Sequence, residues 1–194
     1  MDKFRILITG CSTGLGSHLA DKFEHEGHFV FRHLGRKHFD LTSEAEISHL
    51  CQEAKNLEID VLINNAAIVC PSIPLGQYDI GMINSMIDVN LRAPILITKS
   101  LLPNLKRVVN INSMVGLEVK SPRTLYSASK WGLRGFSNSL KKENKTINVL
   151  DVYPTNIKTT PDRINAMDID IVVSKIYDAF IAKKQELILD GRKK

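Results

Sequence analysis

Apolar residues along the chain alternate between short continuous runs and stripes at helical spacing. Residues 4–9, Phe-Arg-Ile-Leu-Ile-Thr, form a short run rich in β-branched residues, the pattern of a strand covered on both faces. A Gly-rich turn follows. Leu15, Leu19, Ala20 and Phe23 then recur at helical spacing until Gly27 stops the helix. Residues 28–32 predict a second strand. Thr42 or Ser43 caps the next helix, and Glu46, three residues after Ser43, completes a capping box. Ile47, Leu50, Cys51 and Ala54 form that helix's apolar stripe. Residues 60–65 predict a third strand, followed by a loop with Pro71, Pro74 and Gly76. A long helical stretch covers residues 78–102, and Pro94 should kink or divide it. Residues 107–113 predict a strand and 124–142 a helix with Leu125, Ala128, Leu133, Phe136 and Leu140 on one side. Residues 147–153 predict a strand that Pro154 ends, 169–183 a helix and 186–190 a last strand.

Strands separated by helices make parallel β-α-β units. The pattern therefore predicts the α/β class, as a Rossmann-like doubly wound parallel sheet with helices on both faces. A single domain over residues 1–194 is expected, since 194 residues are too few for two domains of ordinary size. One interval is too short. Only about seven residues separate the second strand from the helix start at Asp40, where a parallel crossover needs a dozen or more. One helix of the usual architecture is therefore expected to be missing there.

Composition narrows the function classes. Hydrophobic residues at 43% and charged residues at 24% exclude a disordered, fibrous or disulfide-stapled chain. No apolar run reaches the roughly 18 residues of a membrane helix, so no membrane partner is expected. The N-terminal residues lack a signal-peptide pattern, and a cytoplasmic location is the expectation. Cys11, Cys51 and Cys70 are an odd number without CxxC spacing, which suits a reducing compartment and suggests no metal site. The net charge of +5 comes from scattered residues, apart from clusters at 32–37 and 192–194. A solvated surface explains them, and no nucleic-acid partner is expected.

Three patterns carry chemistry. Residues 9–16, Thr-Gly-Cys-Ser-Thr-Gly-Leu-Gly, join a strand to a helix. Glycines there let backbone approach a pyrophosphate at the helix N-terminus, which makes Gly10, Ser12, Thr13, Gly14, Leu15 and Gly16 candidate cofactor contacts. The end of the second strand should meet the adenosine ribose. Arg32, Arg36 and Lys37 lie there with no acid before Asp40, which favours NADP(H) over NAD(H); the alternative is a solvated basic turn. Tyr126 and Lys130 are four apart on a predicted helix and so share a face. An ammonium beside a phenol favours the phenolate and makes the tyrosine a usable proton donor and acceptor. Ser113 ends the preceding strand, where a hydroxyl would meet ligand in the sheet crevice.

Together these residues resemble the short-chain dehydrogenase/reductase family over essentially the whole chain. Residues 9–16 match its TGxxxGxG loop. Residues 64–67, Asn-Asn-Ala-Ala, resemble its NNAG motif, which implies that Asn65, Ala66 and Ala67 lie beside the cofactor. Asn90, Ser113, Tyr126 and Lys130 match the catalytic tetrad. Asp40, with Leu41 after it, matches the acid that contacts adenine. Pro154 and Thr159 match the ends of a PGxxxT stretch near the nicotinamide. Ala67 and Thr155 replace family glycines.

The resemblance implies hydride transfer between NADP(H) and a carbonyl or secondary alcohol. Tyr126 would be the acid/base. Lys130 would lower its pKa and bind the nicotinamide ribose. Ser113 would polarise the carbonyl, and Asn90 would hold a water linking Lys130 to solvent. It also implies a homodimer or homotetramer through the helices of residues 83–102 and 125–140. A non-catalytic dinucleotide-binding regulator and a nucleotide-sugar-modifying enzyme are the alternatives; the intact tetrad weighs against the first and the short chain after Thr159 against the second. Trp131 is expected either in the substrate cleft or at a subunit contact. The histidines are expected on the surface, with His33 alone near a 2′-phosphate. A short lid over residues 160–169 predicts an open cleft for a bulky or carrier-linked substrate.

Overall fold

Successive residues of a strand point to opposite faces of a sheet, and here both faces are apolar. In β1 (Arg5–Ile8), Ile6 and Ile8 pack with one set of helices and Leu7 with the other. The computed structural model of the chain describes residues 2–69, 72–159 and 165–192. Its six strands are β1, β2 (Phe29–Arg32), β3 (Val61–Asn64), β4 (Arg107–Ile111), β5 (Asn148–Pro154) and β6 (Glu186–Leu189). All pair in parallel, in the order β2-β1-β3-β4-β5-β6.

Helices α1 (Gly14–His25) and α6 (Ile169–Ile181) cover the face of Ile6, Ile8, Val61, Ile63, Val109 and Val152. Helices α2 (Glu44–Asn56) and α4 (Ala93–Leu101), with Leu140 of α5 (Thr124–Glu143), cover the face of Leu7, Leu62, Val108 and Val149. The predicted Rossmann-like, doubly wound sheet is thus the observed one. The chain leaves β1 outward to β2 and returns past it to β3. This reversal opens a crevice at the carboxyl ends of β1 and β3, where ligands of such sheets bind.

The short interval after the second strand has the expected consequence. Residues 33–43 contain neither helix nor strand, and β2 is left as the sheet edge. Phe39 and Leu41 of this segment are buried against α2, so it packs as a loop. The capping box differs from the expectation. Ser43 Oγ accepts the Glu46 N–H at 3.3 Å, but the Glu46 carboxylate takes the Asp40 N–H instead of that of Ser43, which bonds Asp40 O.

The long helical stretch is divided, one turn earlier than Pro94 alone suggests. Helix α3 (Ile80–Ile87) runs into a π-helical turn, Asp88–Arg92, and then into α4 with Pro94 in its first turn. Proline has no N–H for the preceding turn, and the Ala93 N–H reaches back five residues to Asp88 O. By length and composition, residues Ile80–Asn104 are also long and apolar enough to cross a membrane. Met86, Ala93, Ile97 and Leu101 of this stretch are nevertheless buried in the core.

Candidate active site

The turn after β1 brings two loops into contact. Thr9 Oγ1 accepts the N–H groups of Asn65 and Ala66, both at 3.0 Å. Asn65 Nδ2 returns bonds to Thr9 O (2.9 Å) and Gly10 O (3.0 Å). This closeness demands glycine. Gly10 has φ +74°, and a Cβ there would lie 2.8 Å from Ala66 Cα. A Cβ on Gly16 would run into Gly10 O and Asn65 Nδ2. Helix α1 opens at Gly14 with no side-chain cap on Thr13, so its first N–H groups face the crevice. A cleft of about 530 Å³ lies over them, lined by Gly10, Ser12, Thr13, Gly14, Leu15, Gly16, Asn65, Ala66 and Ala67. A cleft of this size over a helix N-terminus suits a pyrophosphate and the groups attached to it, so the residues present fit a dinucleotide.

The far end of this cleft is lined by Arg36, Asp40 and Leu41, with Arg36 Nε 2.6 Å from Asp40 Oδ2. Arg32 corrects an expectation, since it does not line the cleft. Val30 packs on the α1 side of the sheet, and Arg32, two residues on, shares that side. Its guanidinium bonds Asp21 (2.7 Å) and Glu24 (2.8 and 2.6 Å) on α1. The histidines also depart from expectation, for His28 and His33 are both buried. His28 Nδ1 accepts the Phe4 N–H at 3.2 Å, and His33 lines the cleft.

A second cavity of about 470 Å³ continues from the first, the two sharing Asn65, Ala67 and Thr159. Ser113, Tyr126, Lys130, Pro154 and Thr159 all line it. Tyr126 and Lys130 lie one turn apart on α5, and Lys130 Nζ stands 5.8 Å from the Tyr126 ring centroid. The Lys130 side chain is only 2% exposed and donates to Ile111 O at 2.9 Å. Burial pulls its pKa down from 10.5 to about 8. Ser113 follows β4. Its N–H donates to Asn112 Oδ1 (2.9 Å), and its Oγ accepts the Val115 N–H (3.3 Å).

Asn90 is the tetrad position that the structure sets behind the cavity wall. It sits on the π-helical turn, 1% exposed. Its Oδ1 accepts the Ile68 N–H at 2.7 Å, and its Nδ2 donates to Ile68 O (2.9 Å) and Ser129 Oγ (3.2 Å). The side chain thus clamps the backbone of the loop after β3. Trp131 does not line the cavity; it is 42% exposed, with the Arg134 guanidinium 5.2 Å over its ring. Among the described residues no group of three His, Cys, Asp or Glu could hold a metal ion. Cys11 and Cys51 are buried thiols. Cys70 and the first half of the expected lid, residues 160–164, lie outside the described residues.

Several further residues, not among the candidates above, hold the site together. Thr9 is the tie between the two loops. Asn112 Nδ2 holds the Lys130 carbonyl at 3.2 Å, and the Asn64–Asn110–Ser137 chain (2.8 and 2.7 Å) locks β3, β4 and α5 together. Asparagines set among the branched apolar residues of β3 and β4 are the available signal.

The sequence profile of the short chain dehydrogenase family matches residues 32–167, well over half of the chain. The chain is 30% identical over 195 residues to the 3-oxoacyl-(acyl-carrier-protein) reductase FabG of Rickettsia prowazekii, covering 88% of this chain and 80% of that protein. The chain spans only 55% and 52% of the length of retinol dehydrogenase 8 from Bos taurus and Homo sapiens, which it also matches, against 80% of the FabG relative. Among solved structures it resembles a short-chain dehydrogenase from Sphingobium yanoikuyae in complex with NADPH, with TM-score 0.82, 22% identity and coverage of 95% of this chain and 87% of that one. It also resembles a 4-hydroxyisoleucine dehydrogenase complexed with NADH, with TM-score 0.83, 22% identity and coverage of 96% and 97%. The profile match and the FabG relative settle the family, and the site agrees with it in its glycine turn, its buried lysine and the tyrosine one helical turn before that lysine: the chain belongs to the short-chain dehydrogenase/reductase family of oxidoreductases.

Proposed function

We propose that the chain is an NADP(H)-dependent oxidoreductase that interconverts a carbonyl compound and its secondary alcohol, with Tyr126 as the acid/base. One observation carries this reading. A nearly inaccessible ammonium, Lys130, faces the ring of Tyr126 in a cavity that opens directly onto the dinucleotide-sized cleft.

Each residue has a task that follows from its bonds. Tyr126 gives its phenolic proton to the substrate oxygen in reduction and takes it back in oxidation. The Lys130 ammonium stabilises the phenolate left behind, strongly so because little water screens it. Ser113 Oγ already accepts from Val115, so its own hydrogen is directed to the substrate oxygen and polarises the carbonyl. Asn90 fixes the Ile68 backbone, and the second lone pair of its Oδ1 suits the water that would link Lys130 to solvent. Residues 12–16 would hold the pyrophosphate, Arg36 a 2′-phosphate, Lys130 the nicotinamide ribose, and Pro154 and Thr159 the carboxamide side. Bound there, the cofactor supplies the hydride.

Arg36 in the cleft, with no acid at the end of β2, supports NADP(H) over NAD(H). The substrate end of the second cavity bears Glu118, Lys120 and Arg123. Glu118 is engaged by Arg192 at 2.7 and 2.9 Å, which leaves a cationic rim and favours substrates with negative charge. Exposed Trp131 on α5 supports a homodimeric or homotetrameric contact, and buried thiols fit a cytoplasmic location. The test is a panel of ketones, aldehydes and keto acids, each keto acid beside its ester, followed by loss of NADPH absorbance. Turnover that is faster with NADPH than NADH, and with keto acids than their esters, is expected. No turnover of any carbonyl with either cofactor contradicts the reading.

A further inference from the structure

We infer that His33 positions the dinucleotide-binding loop as a neutral imidazole, so that cofactor affinity falls when His33 takes up a proton. The inference rests on the cofactor reading above and adds to it a positioning residue and a pH dependence.

His33 follows the last residue of β2, and its N–H continues the parallel ladder to Ile8 O at 3.1 Å. Its carbonyl accepts the Cys11 N–H at 2.8 Å, and its ring Nδ1 accepts the Gly10 N–H at 3.1 Å. Two consecutive N–H groups of the glycine turn therefore end on this one residue. The pyrophosphate is left the N–H groups further along, at the start of α1. The other ring nitrogen, Nε2, lies 2.8 Å from Phe39 O, in the loop that lines the adenine end of the cleft. His33 thus joins the two loops that flank the cleft.

The partners decide the tautomer. An amide N–H only donates, so Nδ1 must be bare; a carbonyl only accepts, so Nε2 must carry the hydrogen. A second proton could go only onto Nδ1, where it would face the Gly10 N–H, donor against donor. Gly10 has little room to turn away, since its φ is +74° and even a Cβ there would lie only 2.8 Å from Ala66 Cα. Protonation therefore forces the turn open. The surroundings also disfavour the charge. His33 is 1% exposed, and burial, with the His38 ring stacked at 6.1 Å, holds its pKa below the ordinary 6.5. Around it stand the Cys11 thiol, whose pKa burial raises to about 12, the Arg32 pair with Asp21 and Glu24 on α1, and the Arg36–Asp40 pair in the loop. Among the described residues no carboxylate bonds the ring.

The sign follows. The neutral ring, and with it the ordered turn, is present above the folded-state pKa. Affinity is lost as pH falls through that value, which lies below 6.5. The experiment measures NADPH and NADH dissociation constants by fluorescence from about pH 7.5 to about pH 5.5. It compares the wild type with His33→Asn, whose side-chain oxygen accepts the same N–H without titrating, and His33→Leu, which has no acceptor. The cofactor's own phosphate titration is common to all three and cancels. Expected is a wild-type affinity that falls more on acidification than that of His33→Asn, by up to about tenfold at the acid end, with His33→Leu about tenfold weaker than the wild type at the upper end. Parallel profiles for wild type and His33→Asn overturn the inference, as does a wild-type affinity that rises on acidification relative to His33→Asn, which would mean that charge attraction dominates. A wild type that binds neither cofactor at any pH overturns the cofactor reading as well. If His33→Leu does not fold, the wild-type and Asn comparison still decides. Imidazole 15N shifts of the wild type at neutral pH supply a second readout: a bare Nδ1 and protonated Nε2 are expected, and the reverse tautomer contradicts the proposal.

Discussion

The Lys130 ammonium is 2.9 Å from the Ile111 carbonyl oxygen, at the end of a side chain almost sealed from water. One neutral carbonyl is weak compensation for a buried charge, and the lowered pKa records that imbalance. A cation so placed gains most from a negative neighbour. The helical spacing supplies one, the Tyr126 ring 5.8 Å away, whenever its phenol gives up a proton. Stability is thus traded for a group that works on one side chain.

Lys130→Met should separate the two effects. Turnover is expected to fall at least about a hundredfold. The pKa of Lys130 is about 8 in the fold and 10.5 as the ordinary value, so between these the unfolded chain binds more protons than the fold. Wild-type stability therefore gains on the variant as pH rises through this window, by up to about 3 kcal/mol. Chemical denaturation near neutral pH and above pH 10 checks this; a constant difference contradicts it.

Asn90→Leu keeps the branched shape of the side chain and removes the clamp on Ile68. Two part-buried backbone groups lose their partners, and a loss of about 1–3 kcal/mol in unfolding free energy is expected. Asn90→Asp keeps the acceptor for the Ile68 N–H but buries a carboxyl against Ile68 O, so it should be the milder change only at acidic pH, where that carboxyl stays neutral. Equal losses in the two variants at acidic pH would mean that the clamp is not the source.

Gly16→Ala tests the contact of the two loops. Its Cβ meets Gly10 O and Asn65 Nδ2, which cannot recede without breaking Asn65's bonds to Thr9 and Gly10. Cofactor affinity should fall at least about a hundredfold. Gly14→Ala meets only Thr159, at 3.4 Å, and carries chiefly the strain of its φ of +61°, about 1 kcal/mol. Titration of both variants with NADPH should rank them in that order.

Arg36 and Arg32 should behave differently despite their closeness in sequence. Arg36→Ala is expected to lower the ratio of NADPH to NADH affinity by about tenfold, the weight of one charge-assisted bond. Arg32→Ala should leave the ratio unchanged and lower stability by less than about 1 kcal/mol, as a partly exposed ion pair with Asp21 and Glu24. A shift in the ratio for Arg32→Ala contradicts its assignment to the α1 face.

Much of this was legible in the sequence because local rules and the fold agree. Apolar runs such as residues 60–65 can bury both faces only inside a parallel sheet. Glycines at 10, 14 and 16 are imposed by backbone geometry, and the spacing of Tyr126 and Lys130 holds on any helix. Arg32 lies close to the strand end in sequence, but the strand's alternation, marked by Val30, turns it to the α1 side. The burial of His33 and the clamp of Asn90 on Ile68 depend on loops meeting across the sheet, at separations of 23 and 22 residues, where no local pattern points. The π-helical turn likewise arises from how α3 and α4 join around the missing N–H of Pro94, which fixes a break but not its place.

The central claim is that Tyr126 moves the proton while the cofactor is held by other groups. Tyr126→Phe removes one oxygen from a side chain whose ring remains packed with Val115 and Leu125. NADPH titration and carbonyl turnover, measured on the same preparation, test the claim most directly. Cofactor affinity within about threefold of wild type and turnover reduced at least about a thousandfold are expected. Retained turnover in this variant would contradict the claim.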